Sequence, residues 1–323
     1  MSNKRPKVVI TDCDHPSVEI EKEILNEIDL EFLLAHCNTE DEVIKAAQDA
    51  DGIINQYAPM TRRVIESLKK CKVIARYGVG VDNIDIEAAT EYGIIVANVP
   101  DYCIDEVSTH TMALILACAR GITLLDNKIR EKRWDFTLAK PLFRTKGKTL
   151  GLFGLGKIAR AVAQKASGFG FKIIAYDPYV SKVNIGVKLV EFSQLLSDSD
   201  FVSIHVPFTA ETRHSFGENE LKKMKKTAYL INTARGPIVD EKALNKALEN
   251  KWIAGAALDV MEKEPPDWEN SLLKLDNLII TPHISFYSEE SYIELKTKVA
   301  ESVLSVLKGE LPSAIVNPQV VNK

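Results

Sequence analysis

The chain has 323 residues, 46% of them hydrophobic and 27% charged, with a formal net charge of -4 and a pI near 6.0. That length suits two domains with sizeable cores, and the balance is that of an ordinary globular protein. No net basic field exists to draw nucleic acid or an anionic membrane, so neither is expected as a partner. Lys222, Lys223, Lys225 and Lys226 form a local basic run, read as a solvated helix face.

Residues 1–10 (MSNKRPKVVI) enter a strand-like run at once and read as carrying no signal segment. Residues 8–10 open the first strand. Thr11-Asp12-Cys13-Asp14-His15 follows, with metal-binding side chains in a spacing that matches no metal site. It is read as a loop, and no metal is expected. A helical pattern covers 41–50, and further short runs rich in Val and Ile fall at 52–54, 73–76 and 94–96. A boundary is expected near Asn98-Val99-Pro100, followed by a helix over 105–120. Its apolar centre, 112–119 (MALILACA), is too short for the roughly 18 residues of a membrane span. A charged stretch then leads to residue 148.

A second α/β unit starts at Thr149. Its strand candidates are 149–153, 172–176, 201–205, 228–232, 255–259 and 278–281, with a helix at 240–249 among them. Continuous apolar strands alternating with helices predict doubly wound parallel sheets buried on both faces. The last helical pattern, 289–308, comes after that unit has ended and is expected to return to the first domain. The expected architecture is therefore a Rossmann-type domain over 104–287 and a discontinuous flavodoxin-like domain over 1–103 and 288–323, hinged over a cleft. The cysteines at 13, 37, 71, 103 and 118 are odd in number and lack a C-x-x-C, which fits reduced thiols in the cytoplasm.

The turn Phe153-Gly154-Leu155-Gly156-Lys157-Ile158-Ala159 stands between a strand and a helix. Gly154 permits the tight turn. Gly156 lets backbone amides approach a pyrophosphate, and Ala159 replaces the third glycine of the motif. The helix N-terminus then favours the negative phosphates. About twenty residues further on, the strand KIIAY ends in Asp177, which can accept both ribose hydroxyls and repels a 2′-phosphate. The cofactor is expected to be NAD. The plain alternative for Asp177 is a turn residue before Pro178.

Arg235, Asp259 and His283 each stand at a strand end, and Glu264 lies in the loop after Asp259. Ligands of open α/β sheets bind beyond the carboxyl ends of strands, so all four point to one crevice. Reduction of a ketone by hydride needs a proton donor for the oxygen and a cation for a carboxylate. His283 suits the first role and Arg235 the second, with Glu264 orienting the imidazole. Singly, each has a plain structural reading as a cap, a loop charge or a packed ring. Five other histidines (15, 36, 110, 205 and 214) are read as that ordinary kind, save that His205 ends a strand and could line the cofactor.

Together RYGVGVDNID at 76–85, GLFGLGKIA, INTARG with Arg235, ALDV with Asp259, Glu264-Pro265 and TPH with His283 resemble the D-2-hydroxyacid dehydrogenase family over nearly the whole chain. The ending HISFYSEES is similar to the phosphoglycerate dehydrogenase and C-terminal binding protein branch. The resemblance implies NAD-linked hydride transfer between a 2-oxo acid and a D-2-hydroxy acid, and a homodimer. It casts Arg235 as substrate binder, Glu264 as partner of His283, and His283 as proton donor. It gives Asp259 the nicotinamide amide and places Val206, Pro207, Thr212, Thr233 and Ala234 along the cofactor. Val79 and Gly80 become backbone donors to the substrate carboxylate, with Arg76 nearby. Phe286 stands where C-terminal binding proteins carry Trp. The implied dimer contact is the helix at 105–120 with the following arm, which carries Trp134. The chain ends too soon after Pro312 for the regulatory domain of longer phosphoglycerate dehydrogenases. Phosphoglycerate dehydrogenase and an NADH-sensing binding protein remain alternatives. The loop Asn55-Gln56-Tyr57-Ala58 offers no cation for a phosphate.

Overall fold

The structure, a computed structural model, describes residues 5–183 and 186–321. It divides into two compact units, one running to Cys103 and resuming at Ser288, the other spanning Ile104–Tyr287.

The first unit is built on β1 (Lys7–Ile10), β2 (Glu31–Leu34), β3 (Gly52–Asn55), β4 (Val73–Arg76) and β5 (Ile95–Ala97), in the order β2-β1-β3-β4-β5. All pairs are parallel. This is a doubly wound order, with a chain reversal between β1 and β3. One face packs Val9, Ile53, Ile74 and Val96 against Val43, Val64, Ile65 and Ala88 of the intervening helices. The other face receives the C-terminal helix Glu289–Leu307, which sits so close that a Cβ on Gly52 would lie 2.8 Å from Val303. Gly52 therefore stands mid-sheet for clearance, not for a turn.

The second unit contains β6 (Thr149–Phe153), β7 (Lys172–Tyr176), β8 (Val187–Leu189), β9 (Phe201–Ile204), β10 (Tyr229–Asn232), β11 (Gly255–Leu258) and β12 (Leu278–Ile280). Their order is β12-β11-β10-β9-β6-β7-β8, again all parallel, so the winding reverses between β6 and β9. The expected class of two parallel α/β sheets is the one observed. Two strands lacked a sequence signal, β2 and β8, and both are sheet edges. Their exposure alternates along EFLL and VKL instead of vanishing, so neither reads as a continuous buried run.

The apolar centre of the helix Ile104–Arg120, expected at a subunit contact, is covered within its own unit: Met112, Leu114, Ile115, Cys118 and Ala119 are buried in the core with Leu150, Leu152, Val162 and Ala166. After Gly121, held at φ 61, the chain bends by 63° into a helix, Ile122–Arg130, with no buried residue. That helix falls in the stretch read only as charged. Ile122, Ile129, Trp134, Phe136 and Phe143 are the large apolar side chains exposed in that stretch. No single helix among the described residues is long and apolar enough to cross a membrane.

Candidate active site

The crevice where the winding of the second sheet reverses is built from the ends of β6, β7 and β9. Phe153 ends β6 inside an aromatic cluster, with Tyr176, Phe192 and Phe216 at ring distances of 5.8, 4.9 and 5.2 Å. Such pairs are worth about 0.5–1.5 kcal/mol each beyond simple burial, so the base of the turn is rigid. Gly154 follows at φ 93, and a Cβ there would meet the His205 carbonyl at 2.8 Å. Gly156 differs: nothing stands within 4 Å of a Cβ built on it. Its space opens outward at the start of the helix Lys157–Ser167, whose N-terminus has no side-chain cap. An uncapped helix start beside open space at a strand-end turn suits a phosphate. Ala159 is fully buried and lets that helix settle on the sheet.

Asp177 lies just beyond β7, and both its oxygens are fixed. One accepts the Leu155 N–H at 2.8 Å and the other the Tyr179 N–H at 2.9 Å. The carboxylate is thereby held at the glycine turn, where a ribose diol of a bound dinucleotide would be read. These features fit NAD without strain. Phe153 and Leu155 are buried in the hydrophobic core, so only their backbone is available to a cofactor, whereas Lys157 is exposed. His205 packs beside the turn with Nε2 2.9 Å from Ser203 Oγ. Burial pushes its pKa down to about 3, so it is neutral at ordinary pH. Thr212 Oγ1 donates to the Pro207 carbonyl and accepts the Thr209 N–H, tying the loop after Val206 into a compact turn. Thr233 is buried and Ala234 half-buried directly after β10.

The second cluster lies past β10, β11 and β12. Arg235 follows β10 with its Nη1 donating to the Ala234 carbonyl at 2.7 Å, and the Asn232 side chain donates to the Arg235 carbonyl. Gly236 then passes so close to the next loop that a Cβ would lie 2.0 Å from the Met261 carbonyl carbon and oxygen. This contact joins the Arg235 loop to the Glu264 loop. It had no weight in the sequence reading, although the Arg-Gly pair was its visible trace.

Glu264 Oε1 accepts the Met261 N–H at 2.9 Å, and Oε2 lies 2.7 Å from His283 Nδ1. Burial raises the Glu264 pKa, but the His283 hydrogen bond and charge, the Met261 N–H and the Arg235 charge more than offset it. The net shift is downward. Glu264 thus stays ionised to lower pH than a free glutamate. His283 sits at φ 53, a left-handed backbone that costs a non-glycine residue about 1–3 kcal/mol and persists only where neighbours impose it. Asp259 is the imposing neighbour. Its carbonyl accepts the His283 N–H at 2.8 Å. Its side chain, 1% exposed, accepts from Thr281 Oγ1, Ile284 N and Ser285 N. The resemblance gives Asp259 to the nicotinamide amide; the structure adds that its carboxylate anchors the histidine loop. Phe286 stands edge-on to His283 with ring centroids 6.3 Å apart.

In the first unit, Arg76 ends β4 and Val79 and Gly80 follow it. Gly78 holds φ 131, and a Cβ there would come within 1.8 Å of Arg76 Nη1, so the guanidinium folds over the loop. Asn98 Nδ2 donates to the Val79 carbonyl at 2.6 Å. Asp12, in the Thr11–His15 run, accepts from Thr11 Oγ1 and the Gln56 and Tyr57 N–H groups and locks a loop.

Residues 112–285 match the family of D-isomer specific 2-hydroxyacid dehydrogenases at its NAD-binding domain. The chain belongs to this family. It is therefore an NAD-linked oxidoreductase of the 2-hydroxy acid class, and its second unit carries the family's NAD-binding domain. This dehydrogenase is 44% identical to D-3-phosphoglycerate dehydrogenase of Methanocaldococcus jannaschii, over 96% of its own length but 59% of that protein. It is 40% identical to glyoxylate reductase of Korarchaeum cryptofilum over 86% of each chain. Among solved structures it resembles D-lactate dehydrogenase from Aquifex aeolicus complexed with NAD and lactic acid, with TM-score 0.85 and 29% identity over 96% and 99% of the two chains.

Proposed function

We propose that this dehydrogenase reduces a small, unphosphorylated 2-oxo acid to the D-2-hydroxy acid, with His283 as the proton donor. The observation that carries the proposal is the 2.7 Å hydrogen bond between His283 Nδ1 and Glu264, with the Arg235 charge acting on the same carboxylate. Bound NADH is the source of the hydride that reaches the carbonyl carbon. Arg235 holds the substrate carboxylate, since a guanidinium offers paired N–H donors to two oxygens. Glu264 accepts from Nδ1 and fixes the ring, which leaves Nε2 to give its proton to the carbonyl oxygen. In oxidation the same nitrogen, deprotonated, takes the hydroxyl proton. Arg76, Val79 and Gly80 are assigned to the substrate and Phe286 to the wall beside His283. Val206, Pro207, Thr212, Thr233 and Ala234 are assigned to the cofactor, with the backbone of residues 153–158.

Phosphoglycerate dehydrogenase is the second reading, favoured by the identity to the M. jannaschii protein. Against it stand two committed arginines. Arg62 pairs with Glu91, and Arg63 with Glu40 and Asp41. A panel of 2-oxo acids assayed by NADH oxidation decides. Turnover of glyoxylate or a similar acid is expected, and strong preference for phosphohydroxypyruvate would replace this reading with the second.

Asp177 should set the cofactor preference. Asp177→Ser is expected to weaken NADH and admit NADPH, narrowing the ratio of their kcat/KM values. A wild-type preference for NADPH would refute the assignment. We also infer a homodimer, now on the exposed Ile122, Ile129, Trp134 and Phe136 rather than the buried helix before them. Light scattering at micromolar concentration should give twice the chain mass, and Trp134→Glu should shift it toward monomer. The five free cysteines suit a reducing compartment and support a cytoplasmic location.

A further inference from the structure

The helix Ile104–Arg120 touches both loops that carry the site, through two consecutive residues. Thr111 Oγ1 lies 2.9 Å from Thr233 Oγ1, two residues before Arg235. His110 Nε2 lies 3.0 Å from Thr281 Oγ1, two residues before His283. The helix itself is immobilised by Met112, Leu114, Ile115 and Cys118 in the core, so both contacts start from a rigid base.

The proton inventory at Thr281 fixes the direction of the second contact. A threonine hydroxyl has one hydrogen and accepts through its lone pairs. That hydrogen goes to Asp259 Oδ1 at 2.5 Å, because a carboxylate only accepts. Thr281 Oγ1 can then meet His110 only as an acceptor, so His110 must carry its proton on Nε2. Asp259 Oδ1 is itself 3.7 Å from His110 Nε2, which favours the same arrangement. Beyond Thr281, the same carboxylate accepts from Ile284 N and Ser285 N, and the Asp259 carbonyl accepts from His283 N. The chain of contacts therefore runs from His110 through Thr281 and Asp259 to the backbone that holds His283 in its left-handed conformation.

We propose that His110 is a positioning residue for the reaction: its Nε2–H fixes the Thr281 hydroxyl, which keeps Asp259 clamped on the loop that presents His283. This rests on the reading of His283 as proton donor. Without the His110 donor, the Thr281 hydroxyl is free to rotate off Asp259, and the loop loses the contact that binds it to the core helix. Small misplacements of a reacting group are costly even when their origin is remote.

Two measurements test this on the full chain. In protein labelled with ¹⁵N-histidine, long-range ¹H–¹⁵N correlation, assigned by the signals missing from His110→Gln, should show His110 protonated on Nε2. An Nε2 without a proton overturns the proposal, and this readout needs no turnover. Kinetically, His110→Leu should lower kcat for 2-oxo acid reduction by about tenfold to a hundredfold and leave the NADH Kd unchanged. His110→Gln, whose amide N–H reaches as far as Nε2–H, should return kcat to within about threefold of wild type, the scale of one neutral hydrogen bond. Wild-type kcat in His110→Leu overturns the proposal. So does a His110→Gln enzyme that folds as wild type but is as slow as His110→Leu. If the wild-type enzyme turned over no 2-oxo acid, the proposed function would fail first, while the tautomer would still decide the His110 contact.

Discussion

His283→Ala should lose about 10²- to 10⁴-fold in kcat for 2-oxo acid reduction, the range that general acid catalysis contributes. Thermal stability should change little, because the His283 side chain is 38% exposed and its backbone bonds to Asp259 survive truncation. Glu264→Gln is the companion experiment. Its carboxylate lies 2.7 Å from Nδ1 and fixes the ring. A neutral amide in its place loses the charge-assisted hydrogen bond that orients the imidazole, so kcat should fall in both directions while NADH affinity stays nearly intact. The depressed Glu264 pKa gives the pH dependence its sign: the wild-type pair should hold together well into the acid range and be lost only as pH falls through that lowered value. Kinetic pH profiles in both directions, with NADH affinity measured alongside, provide the check. Unchanged kcat with only a lower Tm would reduce Glu264 to a loop anchor, and near-normal turnover of His283→Ala would remove it as the acid.

Gly236→Ala should be nearly as damaging, though no atom of Gly236 takes part in chemistry. The added Cβ would stand 2.0 Å from the Met261 carbonyl group and 2.4 Å from the Glu262 nitrogen. These are backbone atoms and cannot rotate away. Either the Arg235 turn must lift or the Met261–Glu264 loop must retreat. Both motions part Arg235 from Glu264, and the second also strips Met261 N–H from the Glu264 carboxylate. A displacement near 1 Å can cost about 10²-fold in rate. We therefore expect kcat/KM to fall by about that factor, with a Tm lowered by several degrees as the two loops repack. Gly156→Ala provides the contrast, since its Cβ enters open space: folding should be unaffected and NADH binding should weaken. Wild-type kinetics in Gly236→Ala would mean that the two loops are not coupled.

The amino-acid pattern alone determined the class of the fold and put candidate chemistry-bearing residues at strand ends. Continuous apolar strands exist because both faces of each sheet are covered, so the pattern announces itself wherever a strand is central. At β2 and β8 it failed, since an edge strand half open to water alternates like a loop or a short helix. Gly154 was legible because its local turn demands a left-handed backbone, and Asp177 because a strand-end carboxylate stands out against apolar neighbours. Gly52 and Gly236 were not, because the atoms that forbid a side chain there belong to Val303 and Met261, far away in sequence.

The apolar stretch at 112–119 carried no mark of whether it faced a partner or its own core. Hydrophobicity measures the need for cover, and only packing shows what supplies it. The same holds for hydrogen bonds. Asp259 was visible as a strand-end acid, but that its carboxylate turns inward to Thr281, Ile284 and Ser285 follows from how β11 and β12 bring two loops together. His110 looked like any histidine on an apolar helix. What sets it apart is a proton that must sit on Nε2 because Thr281 has only one hydrogen to give, a constraint that arises when the folded chain brings residues 110, 259 and 281 within hydrogen-bonding reach.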